Sequence, residues 1–529
     1  MTGVQTCALP ISTEGTGSYT SEAVTVAGKS ADKRIDVPQS VTVLTRQQIE
    51  DQSLVTVDQA LAKTPGVTMI SNDSSQSQYY IRGYSPESMV DGAPTLSGLG
   101  GYQQLDMAIY DRLEVLKGPS GLLMGQGSPG GTINFVKKTP RDTFGGYVSS
   151  SYGSWNNKRG ELDLTGPLGE EKRVRWRGIL TGTDRDYYFS NAHDSKWTGA
   201  GMVEIDLTPQ TTLSLSAVHQ NDHAPVFSGL PAYASGGGFI DVPRSTNPYP
   251  SWTRYLWTTD EYTAALEHRF DNAWVAKVNY TKRLQEFEFK DAYATTGIDA
   301  AGNATYARRW NDWNYERESA DAFVRGPVEL FGRTHELLLG VNHAFWGSQG
   351  KSITYASVTG NIFAPDATVP EPFGAFDTGS RSEQKQWGVY GRAKLQIFDP
   401  LTVILGGRVS YYTARSRTME PSVPGPWLQG ARTDGRVSPY AGVVYRLAEG
   451  INAYASYSDI FIPQTQQKWG GGVLDPRVGS QYETGVKGEF FGGKLQTSAA
   501  VYYIDDVKDR KSTRLNSSHI PLSRMPASA

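Results

Sequence analysis

The sequence predicts a mostly β protein in which a transmembrane antiparallel β-barrel follows a compact α+β domain. Three observations carry that prediction. Runs of about ten residues alternate apolar and polar side chains, the length and period of a tilted strand with one face toward lipid. Connections between these runs are tight at one end and long, polar and aromatic at the other. Composition adds 57 glycines, 29 tyrosines and 12 tryptophans, with only 38% hydrophobic residues among 529. Mean hydropathy is −0.44, and no stretch approaches the ~18 to 20 apolar residues of a membrane helix. A helical membrane protein is excluded; a barrel keeps a low average because every second residue is polar.

Charge and cysteine content narrow the class further. With 54 acidic and 51 basic residues the net charge is −3, so no basic field points to nucleic acid and no acidic run to a disordered tail. Cys7 is the single cysteine, which excludes an intramolecular disulfide and a multi-cysteine metal site. At ~150 residues per domain the chain holds about three domains, or one large one with a smaller companion.

Residues 37–143 mix helix and strand. SVTVLT alternates as a strand, and Thr45-x-x-Gln48 then gives a capping-box pattern for a short helix. A second box, Thr56-x-x-Gln59, opens the helix VDQALAKT, which Pro65-Gly66 stops. Short strands follow at VTMI, QYYIRGY, SMVDGAP, RLEVLKG and GTINFVKK, punctuated by Gly, Pro, Asn and Ser.

Beyond Phe144 alternation takes over. In QWGVYGRAKLQI, Trp387, Val389, Gly391, Ala393, Leu395 and Ile397 share one face, while Gln386, Tyr390, Arg392 and Lys394 share the other. Similar runs include TTLSLSAVH, AWVAKVNYT, LTVILGGRVSYY and QYETGVKGEF. Tight connections fall at FDPLT and FFGGK, and long ones at 221–258 and 355–384. A soluble β-sandwich is the rival, and the polar inward faces and strand lengths count against it.

Local motifs for other chemistry fail on context. Gly125-x-Gly127-x-x-Gly130 matches the dinucleotide fingerprint formally, yet GGTINFVKK follows it and reads as a strand where a helix is required. His219 and His223 share a strand face without an evident third ligand. No G-x-S-x-G elbow or other catalytic constellation occurs.

A set of segments in order carries the functional signal: DVPQSVTVLTRQQIEDQ, ALAKTPGV, YIRGYS, VDGAP, DRLEVLKGPSGLLMGQGSPGGTINFVKKTP, YASYSDIFIPQ and YETGVKGEF. Together they closely resemble the TonB-dependent ferric-siderophore receptors of Gram-negative outer membranes, over residues 20–508. The resemblance implies an N-terminal plug inside the barrel, a binding site for a ferric siderophore at the extracellular face, and import driven by TonB with ExbB and ExbD behind it. It implies a monomer in outer-membrane lipid that is not an enzyme and has no intrinsic cofactor, since the ferric iron travels as a chelate. Two plug arginines of the family meet barrel glutamates; the matching positions are Arg82, Arg112 and Glu483. Alternation agrees, because Tyr482, Thr484, Val486 and Phe490 form the lipid-facing set and leave Glu483 toward the lumen. Glu22, Ala23, Val24, Thr25 and Val26 resemble the TonB box, a strand-adding segment, and read equally well as the first strand of the plug. Ligand recognition is expected from the plug apex and early loops, at Gln76, Tyr79, Tyr102, Gln103, Tyr233 and Trp252. The FRAP motif of haem receptors is absent.

Both ends read differently from the rest. MTGVQTCALPI and KSTRLNSSHIPLSRMPASA resemble translated sequencing-adaptor text, so residues 1–12 and 509–529 are expected to be non-native. The remainder divides into a TonB-box and linker segment at 13–36, a plug at 37–143 and a partial barrel at 144–508. That last stretch accommodates about 14 to 16 strands, against the 22 of large plugged transporters, so an open wall around the plug is expected. A passive porin-like channel and a TonB-dependent importer of another bulky nutrient are the alternatives; the first would have no hundred-residue domain ahead of its strands.

Overall fold

In a computed structural model of the chain, the structure describes residues 12–507 apart from 30, 75, 100–103, 237–239, 465–467 and 469–471. Tyr102 and Gln103 therefore lie outside the described residues.

The small domain is built as its caps and turns dictate. Thr45 accepts from the Gln48 amide to start the helix Arg46–Asp51, and Thr56 with Gln59 forms a complete capping box for Val57–Ala62, so the first orphan amides of each helix are satisfied. Five strands form one sheet in the order Val41–Leu44, Tyr110–Lys117, Gly131–Lys137, Glu87–Val90 and Ala93–Thr95. Val67–Ser71 and Ser77–Ile81 form a separate hairpin. Strand Gly131–Lys137 follows the glycine-rich turn directly, with Gly125 at φ +90° and Gly131 at φ +99°, a backbone region that glycine enters without a Cβ clash.

Around this domain stands a wall of 15 strands, from Gly145–Tyr152 to Leu495–Val507, each hydrogen-bonded antiparallel to its sequence neighbours. Among the described residues the first and last strands do not pair with each other. Alternation sets the two faces: Trp387 and Val389 are exposed, while Gln386, Tyr390 and Arg392 are buried. The two expected long loops are shorter than the sequence suggested, running over 225–253 and 362–377, because Thr211–Ala224, Arg254–Arg269, Arg333–Asn361 and Thr378–Phe398 continue pairing into them. A ladder needs only a partner strand to satisfy its backbone groups, so the ribbon extends into water until its pairing stops.

The small domain and the wall share one interior. Val24, Val37, Met89 and Leu122 pack with Phe323, Leu338 and Tyr390 of the wall, and the domain's main core runs on to Ile179, Met202 and Val218. Backbone meets backbone at Gly127, whose amide donates to the Phe461 carbonyl at 2.8 Å. A Cβ there would lie 2.6 Å from the Asp459 carbonyl oxygen, a backbone atom that cannot rotate away. Gly127→Val is therefore expected to cost about 1–3 kcal/mol by overpacking. Faster amide exchange at residues 119–131, with the wall unchanged, is the measurement that checks it.

Candidate functional site

Two constellations stand out: the contacts that hold the inner domain to the wall, and a chamber above that domain. Both are laid out by strand parity.

Glu483, on the inward face of Arg477–Phe490, gathers the first set. Its Oε1 accepts from the Ser40 amide at 2.7 Å, the Ser40 hydroxyl at 2.8 Å and the Tyr454 hydroxyl at 2.7 Å. Its Oε2 accepts from Arg82 Nη2 at 2.7 Å, while Arg82 Nη1 reaches Gln481 at 2.8 Å. Arg82 sits at φ +56°, in the turn after Ser77–Ile81, and its guanidinium lies 3.8 Å from the Tyr502 ring centroid. Both side chains are almost wholly removed from water, so each charge depends on the other.

Arg112 is not brought to Glu483. It pairs with Asp111 and Glu114, both at 2.8 Å and both within the inner domain. Tyr110–Lys117 is interior to its sheet, so two adjacent carboxylates intercept the guanidinium before it reaches the wall. Those carboxylates also hold the N-terminal segment. Asp111 accepts from Ser12, Thr13 and Glu14, and Glu114 from the Thr25 and Val26 amides at 3.0 and 2.8 Å. Ala23–Val24 pairs with Asp32–Lys33 as a two-residue strand, and Val24 and Val26 are fully buried.

Further contacts surround the domain. Lys487, four residues beyond Glu483 on the same face, donates to the carbonyls of Arg34, Val37 and Gln39 at 3.0, 2.6 and 2.6 Å, using all three of its N–H donors. Arg159 grips Asp106 with two parallel bonds of 2.8 Å. Burial alone would raise the Asp106 carboxyl, but the Lys196 and Arg159 cations beside it reverse that and hold it below the usual carboxylate range. A depressed folded pKa contributes stability that is complete above the unfolded value of about 3.9 and is lost as pH falls through the folded value. Protease nicking of the inner domain is therefore expected to rise below about pH 4, and Asp106→Asn to flatten that rise by removing this titration.

The chamber has a volume of about 790 Å³. Its floor is the tip of the inner domain, at Asn72, Asp73 and Gln76. Its wall is aromatic: Tyr255, Phe287, Phe289, Trp313 and Tyr315 all face inward from three adjacent strands. Trp257 stacks on Phe287 with centroids 3.7 Å apart, and Trp313 lies nearly parallel to Tyr315. The Tyr255 hydroxyl donates to Asp73 at 3.2 Å, tying wall to floor. Asp291 and Arg309 form one ion pair on the rim, with Arg309 4.6 Å from the Tyr293 ring centroid. A loop closes the side, where the Tyr249 hydroxyl accepts from the Ser228 amide and donates to the Gly229 carbonyl, both at 3.1 Å.

Of the expected ligand residues that are described, Gln76 alone lines this chamber. Tyr79 turns into the core of the inner domain, where its hydroxyl meets Asp58; burial and that carboxylate push the phenol far up. Tyr233 and Trp252 pack in an upper loop cluster around Ile298 and Tyr306, with Trp252 Nε1 donating to the Val369 carbonyl at 3.0 Å. They order the loops without facing the chamber. His219 pairs with Asp260 at 2.8 Å; among the described residues no group of three His, Cys, Asp or Glu is gathered to hold a metal.

A globular domain seated in a β wall, held by buried polar contacts beneath an outward-facing chamber, defines an outer-membrane receptor of the plug-and-barrel class. The chain belongs to the TonB-dependent receptor family: residues 33–132 match the TonB-dependent Receptor Plug Domain and 202–513 the TonB dependent receptor-like β-barrel. This places it in the Gram-negative outer membrane, in a family of receptors and not of enzymes. The inner domain is thus the plug. The chain is 34% identical to the ferric-pyoverdine M114 receptor PbuA of Pseudomonas sp., covering 94% of this chain and 62% of that one. It is 35% identical to the ferripyoverdine receptor of Pseudomonas aeruginosa, covering 93% and 61%. The chain thus spans about three fifths of the length of these relatives. Among solved structures, the outer-membrane ferripyoverdine receptor of P. aeruginosa bound to ferripyoverdine superposes with a TM-score of 0.87 at 34% identity, over 94% of this chain and 67% of that one. The alcaligin outer-membrane receptor FauA of Bordetella pertussis gives 0.75 at 29% identity, over 94% and 76%.

Proposed function

We propose that the protein captures a ferric siderophore of the pyoverdine type in the aromatic chamber and imports it with energy delivered by TonB, ExbB and ExbD. The aromatic wall above an amide-bearing floor is the observation that carries this reading. Flat aromatic faces suit a bulky organic chelate whose iron is already fully coordinated, so that the protein need supply orientation and no metal ligand. The ligands named for PbuA and the P. aeruginosa receptor support the chelate class. A passive pore is disfavoured, because the plug fills the lumen through contacts on many strands.

Energy transfer in this reading begins at Glu22–Val26, which adds a strand to TonB. Val24 and Val26 are buried, so the segment must first be drawn out. Withdrawal strips hydrogen bonds from Glu114 and, further up the segment, from Asp111, the two partners of Arg112. Charge pairs suit such a plug, since they fix register yet can be exchanged for water as they part. The divisions at 13–36, 37–143 and 144–508 and a monomeric state belong to the same proposal. A binding panel of iron-loaded and iron-free siderophores tests it: preference for loaded pyoverdines supports the reading, and equal binding to all chelates or to none overturns it.

A further inference from the structure

Arg309 is the one cation among the described residues that line the chamber, and plug anchoring makes no use of it. Its Nε donates to Asp291 Oδ1 at 3.0 Å and its Nη2 to Asp291 Oδ2. Two parallel bonds fix the plane of a guanidinium. Its central carbon lies 5.5 Å from the ring centroid of Phe289 and 4.6 Å from that of Tyr293, so two aromatic rings add a cation–π hold. Nη1 carries two further N–H donors, and it has no partner among the described residues.

The pair is unequally exposed. The Arg309 side chain keeps 37% of its surface accessible, against 3% for Asp291. Outward-facing pairs on the same strands are balanced, with Arg254–Glu288 at 32% and 35% and Lys282–Glu316 at 34% and 35%. A structural pair on the wall shares its water between the partners. Here the carboxylate is sealed behind the cation, and a molecule in the chamber meets the guanidinium.

The two carboxylates of the chamber are already engaged. Asp73 accepts from the Gln76 amide at 2.7 Å and from the Tyr255 hydroxyl at 3.2 Å, and Asp291 accepts from Arg309. Hydrogen-bonding capacity left over beside Arg309 is therefore donor capacity. Asn311, two residues along the same inward face, adds to it. Its Oδ1 accepts from Trp313 Nε1 at 3.5 Å, and its amide nitrogen has no partner among the described residues.

We propose that Arg309 selects chelates that bear a free carboxylate outside their iron-coordinating set, and seats that carboxylate at the rim of the chamber. The proposal rests on the chamber as the chelate site and specifies which chelates it favours. Oxygens that ligate the iron are committed to the metal, so an anion free to meet Nη1 sits on a pendant arm. A carboxylate is planar and offers two acceptor oxygens, one for Nη1 and one for the Asn311 amide. Because Asp291 and the two rings hold the guanidinium beforehand, little ordering remains to oppose binding. The body of the chelate then lies deeper, against Phe287, Trp313 and Tyr315.

The test uses a ferric pyoverdine whose acyl arm ends in a free carboxylate and the same chelate with that arm as its carboxamide, each titrated by tryptophan fluorescence. Wild type should bind the carboxylate form about tenfold more tightly, with the ratio falling as salt is added. Arg309→Gln should bring the ratio to one by weakening the carboxylate form alone, and Arg309→Lys should keep part of it. Arg309→Gln combined with Asp291→Asn avoids leaving a buried carboxylate unpaired and should also give a ratio of one. Trp313→Ala should weaken both forms alike and leave the ratio unchanged. Equal binding of the two forms by wild type overturns the proposal whether or not the variants fold, and so does a folded glutamine variant that keeps the full preference. Wild type that binds neither form overturns the chamber reading and this proposal with it, whereas equal binding overturns this proposal alone.

Discussion

Glu483→Ala is expected to loosen the plug more than any other single substitution in the chain. Its carboxylate accepts from the Ser40 amide and hydroxyl, the Tyr454 hydroxyl and Arg82, and it is almost fully buried. Truncation leaves the Arg82 cation without its carboxylate in a site with little water, and breaking a buried pair in this way costs about 3–5 kcal/mol. Amide exchange at residues 38–45 and 78–85 should accelerate together, because Ser40 and Arg82 lose the same anchor. Glu483→Gln, which keeps an acceptor but loses the charge, should produce a smaller change. Lys487→Met should loosen only the segment near 34–39, since its partners are the carbonyls of Arg34, Val37 and Gln39. Unchanged exchange in Glu483→Ala would mean that the remaining contacts hold the plug unaided.

Trp313→Ala and Phe287→Ala should each weaken ferric siderophore binding by roughly 10- to 100-fold, the effect of removing a well-packed aromatic anchor. Phe287 has the larger structural role, because Trp257 stacks on it; its loss should also broaden the chamber. Trp313 has one face toward Tyr315 and lines the chamber, so its removal should act on affinity with little change in stability. Titration of tryptophan fluorescence with ferripyoverdine against both variants checks this. Trp252→Ala provides the contrast: it packs in the upper loops, and its effect should appear mainly as faster dissociation. Full affinity in Trp313→Ala would remove the chamber from the binding reading.

How far the sequence reaches is visible at particular residues. Alternation gives the wall almost entirely, since one side meets lipid and the other the plug, and a period of two survives every change of loop. The same parity places Glu483 inward and, four residues on, Lys487, which was legible in YETGVKGEF but carries no motif of its own. Tyr79 shows where the reading failed for a local reason. Within Ser77–Ile81 the residues Ser77, Tyr79 and Ile81 are buried, so Tyr79 shares the face of Ile81 and turns into the core. The chamber aromatics were recoverable in the same way. Phe287, Phe289 and Tyr293 alternate with the outward set of Val278 and Tyr280, and Trp313 and Tyr315 repeat the pattern opposite them. Arg112 could not be placed from spacing, because its partners Asp111 and Glu114 are sequence neighbours whose intervention depends on burial of the whole strand.

The order of strands in the wall equals their order along the chain, and this bears on assembly. Each new strand can add to the edge of its predecessor by closing a single loop, whose entropic cost grows only slowly with its length. The contacts from Glu483 to Ser40 and from Lys487 to Arg34 join residues 443 and 453 positions apart. They can form only after most hairpins are in place. The plug's own local contacts can therefore form before these fasteners, so a defect at Glu483 or Lys487 should leave a plug that is made but not fastened to its wall.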